Sequence, residues 1–92
     1  MSAKLVLRDK IIAGDLVIER TVWQLPEPTS DRPQGLKYSL YCGKKGTCLV
    51  RYDNESGKGD HVHYGADEKP YRFTTLTQLL LDFAHDVRRY AG

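Results

Sequence analysis

No apolar run in this chain approaches the roughly 20 residues that cross a bilayer as a helix, so a membrane is not an expected partner. The opening Met-Ser-Ala-Lys carries no apolar signal segment, which makes the cytoplasm the expected compartment. Excess charge is scarce too: 14 Lys and Arg stand against 12 Asp and Glu, for a net of +2. Proteins that hold nucleic acid mainly through its phosphates show a denser basic field, so nucleic acid is permitted but not demanded. With only two cysteines, a four-thiolate zinc site cannot form within one chain. At 92 residues there is bulk for one modest core but not two, and residues 1–92 are read as a single domain. The chain has neither an internal repeat nor a low-complexity segment.

What is present reads as strands followed by one helix. Leu5 to Ile12 and Leu16 to Trp23 are rich in β-branched and aromatic residues, and Ala13-Gly14-Asp15 between them suggests a hairpin. Pro26, Pro28, Pro33 and Gly35 make residues 25–35 a connection. Leu36 to Cys42 and Cys48 to Tyr52 form a second hairpin. A three-residue turn with Gly46 left-handed in a bulge places Cys42 directly opposite Cys48. Tyr38, Leu40 and Cys42 then share a face with Cys48, Val50 and Tyr52, and the thiols are expected to be reduced and in the core. A short strand around His61 to Tyr64, a loop from Gly65 to Pro70 and a brief strand at Tyr71-Arg72-Phe73 come next. Leu76, Leu79, Leu80, Phe83, Val87 and Tyr90 recur at helical spacing, with Gln78, Asp82, His85 and Arg89 opposite. Thr75 and Gln78 have capping-box spacing, and Arg88 and Arg89 suit a helix C-terminus. The fold class is therefore α+β, a small antiparallel β-sheet covered by a C-terminal α-helix.

Ionisable and glycine residues concentrate from Arg51 to Gly65, and two of the three histidines lie there. If Asp60 to Tyr64 is extended, His61 and His63 point to one face and Val62 and Tyr64 to the other. Arg51, Lys58 and Asp60 are near in sequence. The plain alternative is a polar connection at 53–59 whose glycines relax the backbone and whose charges solvate it. A metal reading joins His61 and His63 to Asp60 or Glu55, but the spacing matches no established motif and the third ligand must come from the fold; no cofactor is expected. His85 falls on the helix's solvent side.

Several segments resemble the TumE-like toxin family of toxin-antitoxin systems. They are Val50-Arg51-Tyr52-Asp53-Asn54-Glu55, Gly57-Lys58-Gly59-Asp60-His61-Val62-His63, Glu68-Lys69-Pro70-Tyr71-Arg72-Phe73 and Leu79-Leu80-Leu81-Asp82-Phe83, with Trp23-Gln24-Leu25-Pro26 earlier. The likeness covers nearly the whole domain; Val62 departs from it, standing where many relatives carry a polar or basic residue. It implies a small toxin neutralised by an adjacent DNA-binding antitoxin, and a charged cleft directed at RNA or a translation component.

Within that frame, metal-independent RNA cleavage has the best local chemistry. One of His61 and His63 deprotonates a ribose 2′-hydroxyl and the other protonates the departing 5′-oxygen. Arg51 or Lys58 stabilises phosphate charge, and Asp60 orients an imidazole. A noncatalytic toxin or interaction module that binds its target stands as the alternative. Tyr38, Tyr52, Tyr64 and Tyr71 are candidates for base stacking if they surround the cleft, although alternation favours the core for Tyr38 and Tyr52. Trp23 is read as core or antitoxin contact.

Overall fold

The computed structural model describes residues 2–55 and 57–91. Ser56, within the polar connection read at 53–59, lies outside the described residues. Among the described residues six strands form one antiparallel sheet: β1 (Lys4–Ala13), β2 (Leu16–Gln24), β3 (Leu36–Lys44), β4 (Thr47–Asp53), β5 (His61–Tyr64) and β6 (Asp67–Pro70). Each strand pairs with its sequence neighbour, because every connection except 25–35 and 54–60 is a tight turn. One helix, α1 (Leu76–Ala91), lies across β3 and β4. The α+β class expected from the sequence is the one observed.

The second hairpin differs in detail from its sequence reading. Lys45 and Gly46 both have left-handed φ, 52° and 77°, as a two-residue turn matched to strand twist requires. The pairing is Lys44 with Thr47, Gly43 with Cys48 and Cys42 with Val50, so Leu49 is an extra residue inside β4. Cys48 consequently does not oppose Cys42: the additional residue sits in the strand as a bulge, not in the turn. Both thiols are free. Burial pushes the Cys42 thiol up, helped by Cys48 nearby, and burial raises Cys48 against the opposing pull of Arg51.

The end of the sheet is also corrected. Asp67–Pro70, read as loop, is β6, and Tyr71-Arg72-Phe73 is not a strand. A fully exposed edge strand needs no apolar alternation, and its charges and proline discourage further pairing. Tyr71 instead turns away, its N–H donating to the Asp60 carbonyl at 3.0 Å.

Pairing registers assign every strand side chain to one of two faces. On the helix side lie Val22, Tyr38, Leu40, Cys42, Val50, Tyr52 and Val62, all buried. Leu79 and Phe83 of α1 close this core, with Leu80 and Val87 packed at its margin, as their periodicity predicts. The core position one turn further on belongs to Asp86, a residue the apolar pattern passed over, while Tyr90 is 44% exposed. Asp86 accepts hydrogen bonds from the hydroxyls of Tyr52 and Tyr64, the latter at 2.7 Å. Thr75 caps the helix, accepting from the Gln78 N–H at 3.1 Å. Gln78 uses its own side chain on Asp82, so the reciprocal half of the capping box is not made.

Candidate active site

Among the described residues no helix covers the other sheet face, and the chemistry-bearing residues meet there. Antiparallel pairing places directly opposed residues on the same side. Two adjacent rows therefore run across the strands. One contains Thr21, Ser39, Asp53, His61 and Pro70; the other contains Glu19, Tyr41, Arg51, His63 and Glu68. The expected alternation within β5 is what the structure has: His61 and His63 share the open face, and Val62 and Tyr64 turn toward the helix side.

Asp53 is the centre of this constellation. Its Oδ1 meets His61 Nε2, and its Oδ2 lies 3.1 Å from Arg51 Nε. Arg51 Nη2 reaches His63 Nε2 at 3.3 Å, so the arginine bridges the carboxylate and the second imidazole. Neither of the buried atoms Arg51 Nε and Asp53 Oδ1 has a directed hydrogen bond; Nε stands against Asp53 Oδ2 as an ion pair, and Oδ1 against His61 Nε2. Glu68 Oε1 lies 3.7 Å from His61 Nε2 and 4.0 Å from Lys58 Nζ.

Tautomers follow from the partners. His61 Nδ1 lies 2.9 Å from the Gly59 carbonyl, an acceptor, so Nδ1 carries a proton and donates it. Its Nε2 faces the Asp53 carboxylate. A guanidinium can only donate, so His63 Nε2 accepts from Arg51 and His63 bears its hydrogen on Nδ1. His61 is 5% exposed with both nitrogens engaged, whereas His63 is half-buried, and the rings stand 4.9 Å apart, edge to face.

Of the residues anticipated here, His61, His63 and Arg51 are brought together. Lys58 stands at the rim, lining a cavity with His61, Glu68 and Pro70. Asp60 lines the same cavity but holds no imidazole: its Oδ1 accepts from the Tyr38 hydroxyl at 2.6 Å and from Gln34 Nε2 at 2.9 Å. It ties the site loop to the proline-rich connection, and Asp53 holds the imidazole instead. That connection is also bound through Arg32 Nε to the Asn54 carbonyl at 3.0 Å and the Gly57 N–H to Asp31 Oδ2 at 3.0 Å.

Two members of the site were missed in the sequence. Asp53 could have been found from the facing alternations Arg51-x-Asp53 and His61-x-His63, which match residue for residue once the strands pair. Glu68 left no such signal, because β6 itself was not legible. The aromatic expectation also shifts. Tyr38 and Tyr52 are buried, Tyr64 lies on the helix side, and Tyr71 packs edge-on to Tyr52 with its hydroxyl on Asp82. Trp23 and Tyr41 are the aromatics on the open face.

Asp53, His61 and His63 also form a nitrogen and oxygen donor set whose ligand atoms lie within 4.8 Å of one another. The third donor is thus Asp53, and neither Asp60 nor Glu55. Arg51 already engages both Asp53 and His63, so a cation there has to displace a guanidinium.

The family model described as Toxin TumE matches residues 1–91. The chain belongs to the TumE toxin family. Comparisons with curated proteins and with solved structures each find no match. Toxins of the TumE family pair with antitoxins. No helix among the described residues is long and apolar enough to cross a membrane.

Proposed function

We propose that this TumE-family chain is an RNA-cleaving toxin whose working surface is the open sheet face around Asp53, Arg51, His61 and His63. The carrying observation is the Arg51 guanidinium spanning Asp53 and His63. A phosphate that engages Arg51 draws it from His63 and frees an unprotonated Nε2 as a base for the ribose 2′-hydroxyl. The 2′-oxygen then attacks phosphorus, the bond to the 5′-oxygen breaks, and a 2′,3′-cyclic phosphate forms. Arg51 matches the phosphate's charge in a fork geometry. Asp53 and His61, each 5% exposed, act as positioning residues that hold Arg51 and the loop at Gly59. Lys58 is the ammonium donor assigned to the departing oxygen, and Asp60 supports the loop that carries it.

A second reading is favoured by one observation: rings 4.9 Å apart on one strand do not flank a phosphate from opposite sides. On that reading the face binds RNA or a translation component without cutting it. Labelled single-stranded RNA in excess chelator separates the two. Cleavage by wild type to a cyclic 2′,3′-phosphate, lost in H63A with RNA affinity retained, supports catalysis. Undetectable cleavage together with full toxicity of H61A/H63A assigns noncatalytic inhibition, and activity restored only by added metal assigns the Asp53, His61 and His63 donor set.

The antitoxin, proposed to be DNA-binding, is assigned to the β1 edge. Among the described residues this ten-residue strand has no outer partner, and it exposes Leu5, Val6, Ile11 and Ile12, by 65% for Ile12.

A further inference from the structure

We propose that the cavity beside the histidine cluster is a nucleobase subsite, holding one base of the single-stranded RNA whose phosphate engages Arg51; this rests on the RNA-directed reading above. The cavity has a volume of about 160 Å³ and shares Asp53 with the cluster. Thr21, Trp23, Lys37, Ser39 and Glu55 contribute to its lining.

Three observations converge on a flat, polar-edged ligand. Trp23 stands on the open face opposite Lys37, half-buried, with the Arg8 guanidinium braced over its ring at 5.4 Å. An indole held in that way is a stacking plate, and every base has a π-face to lay on it. The cavity's other polar walls are already committed. Asn54 is wholly buried, its Oδ1 accepting from the Tyr38 N–H at 3.0 Å and its Nδ2 donating to the Leu36 carbonyl at 2.8 Å. The Tyr38 hydroxyl is spent on Asp60.

What remains for a ligand is the Lys37 ammonium, the Thr21 and Ser39 hydroxyls and the Glu55 carboxylate. A base with both a ring acceptor and an exocyclic amino group uses both charges at once, and guanine does so with two acceptors, O6 and N7, toward Lys37 and its amino N–H toward Glu55. The third observation is contiguity: the Trp23–Lys37 pair lies two residues along the strands from the row of Ser39 and Asp53, about 7 Å. A base on Trp23 and a phosphate at Arg51 therefore belong to one stretch of the same strand.

Trp23 is the only tryptophan, so its fluorescence reports the subsite directly. The full chain is titrated with GMP, with inorganic phosphate, and with a short guanine-containing DNA oligonucleotide that lacks the 2′-hydroxyl and is not cut. Saturable quenching by GMP, none by phosphate, and roughly tenfold tighter binding of the oligonucleotide are expected. K37A and E55Q each weaken GMP by about tenfold with circular dichroism and thermal unfolding unchanged. Absence of saturable quenching overturns the subsite, as does quenching insensitive to both substitutions. GMP binding as tight as the oligonucleotide's assigns the cavity to a free nucleotide and also overturns it. Quenching in protein that cleaves no RNA upholds the subsite and removes the catalytic reading, whereas cleavage without quenching does the reverse.

Discussion

Among single residues Arg51 and His63 are the ones to test, because in the proposed reaction one guanidinium both masks the base and receives the phosphate. H63A is expected to lower the cleavage rate by at least about 100-fold while leaving RNA affinity within threefold, measured by single turnover and filter binding. R51A is expected to lose affinity as well as rate, and that difference separates proton transfer from phosphate holding. A rate unchanged in H63A removes this imidazole from the chemistry. A different pair tests acid stability: Arg20, donating from Nε to Asp9 Oδ1 at 3.0 Å, holds the Asp9 carboxyl below its usual value, against a smaller upward push from burial. A depressed carboxyl stabilises the fold above the ordinary aspartate value of about 4 and loses that contribution as pH falls through the folded one. D9N should therefore be less stable than wild type at pH 7, by no more than about 1 kcal/mol for so exposed a pair, and indistinguishable at strongly acid pH.

At the scale of elements, the helix is docked by an apolar stripe with a polar anchor in it. Phe83 sits edge-on to Tyr52 at 6.1 Å, and Asp86 takes the hydroxyls of Tyr52 and Tyr64. Removing Asp86 alone leaves the two hydroxyls only each other, at 3.4 Å, so D86A should cost about 1–3 kcal/mol in denaturant unfolding. Replacing the whole group, as in D86L/Y52F/Y64F, should recover most of that loss, because no polar atom is then stranded. A triple variant as unstable as D86A contradicts the hydrogen-bond account. Burial first, and the hydrogen bond to Asp86 second, push the Tyr52 hydroxyl well above the usual tyrosine value. The fold thus favours its neutral form, and stability present below about pH 10 falls as pH rises further. Y52F should flatten that alkaline decline by about 1.4 kcal/mol per pH unit.

For the whole molecule, the meander leaves two unlike faces and two unlike edges. β6 protects its edge with Asp67, Glu68, Lys69 and Pro70, whereas β1 exposes Ile11 and Ile12. I12K should leave unfolding free energy within about 0.5 kcal/mol and abolish copurification with the antitoxin. Retained copurification moves the antitoxin to another surface. A net charge of only +2 sets the expected electrostatics of RNA binding. If about three cations meet phosphates, log affinity should fall against log salt with a slope near −2 for a single strand. A much steeper slope would mean a larger basic footprint than the open face carries.

Local chemistry determined much by itself. Period-two alternation and turn glycines set most of the strands, helical periodicity set α1, and the alternation of His61 and His63 set their common face, since each depends only on a residue and its near neighbours. β6 was not legible because an exposed edge strand buries nothing and so leaves no apolar pattern. The Cys42–Cys48 register depended on whether an extra residue entered the turn or the strand, and Lys45 settled it by accepting a left-handed φ of 52°. Asp53 and Asp86 look like ordinary surface acids in the sequence. Only strand pairing delivered Asp53 to His61, and only helix docking delivered Asp86 to two tyrosine hydroxyls, because a carboxylate becomes affordable in the interior when donors from distant segments converge on it.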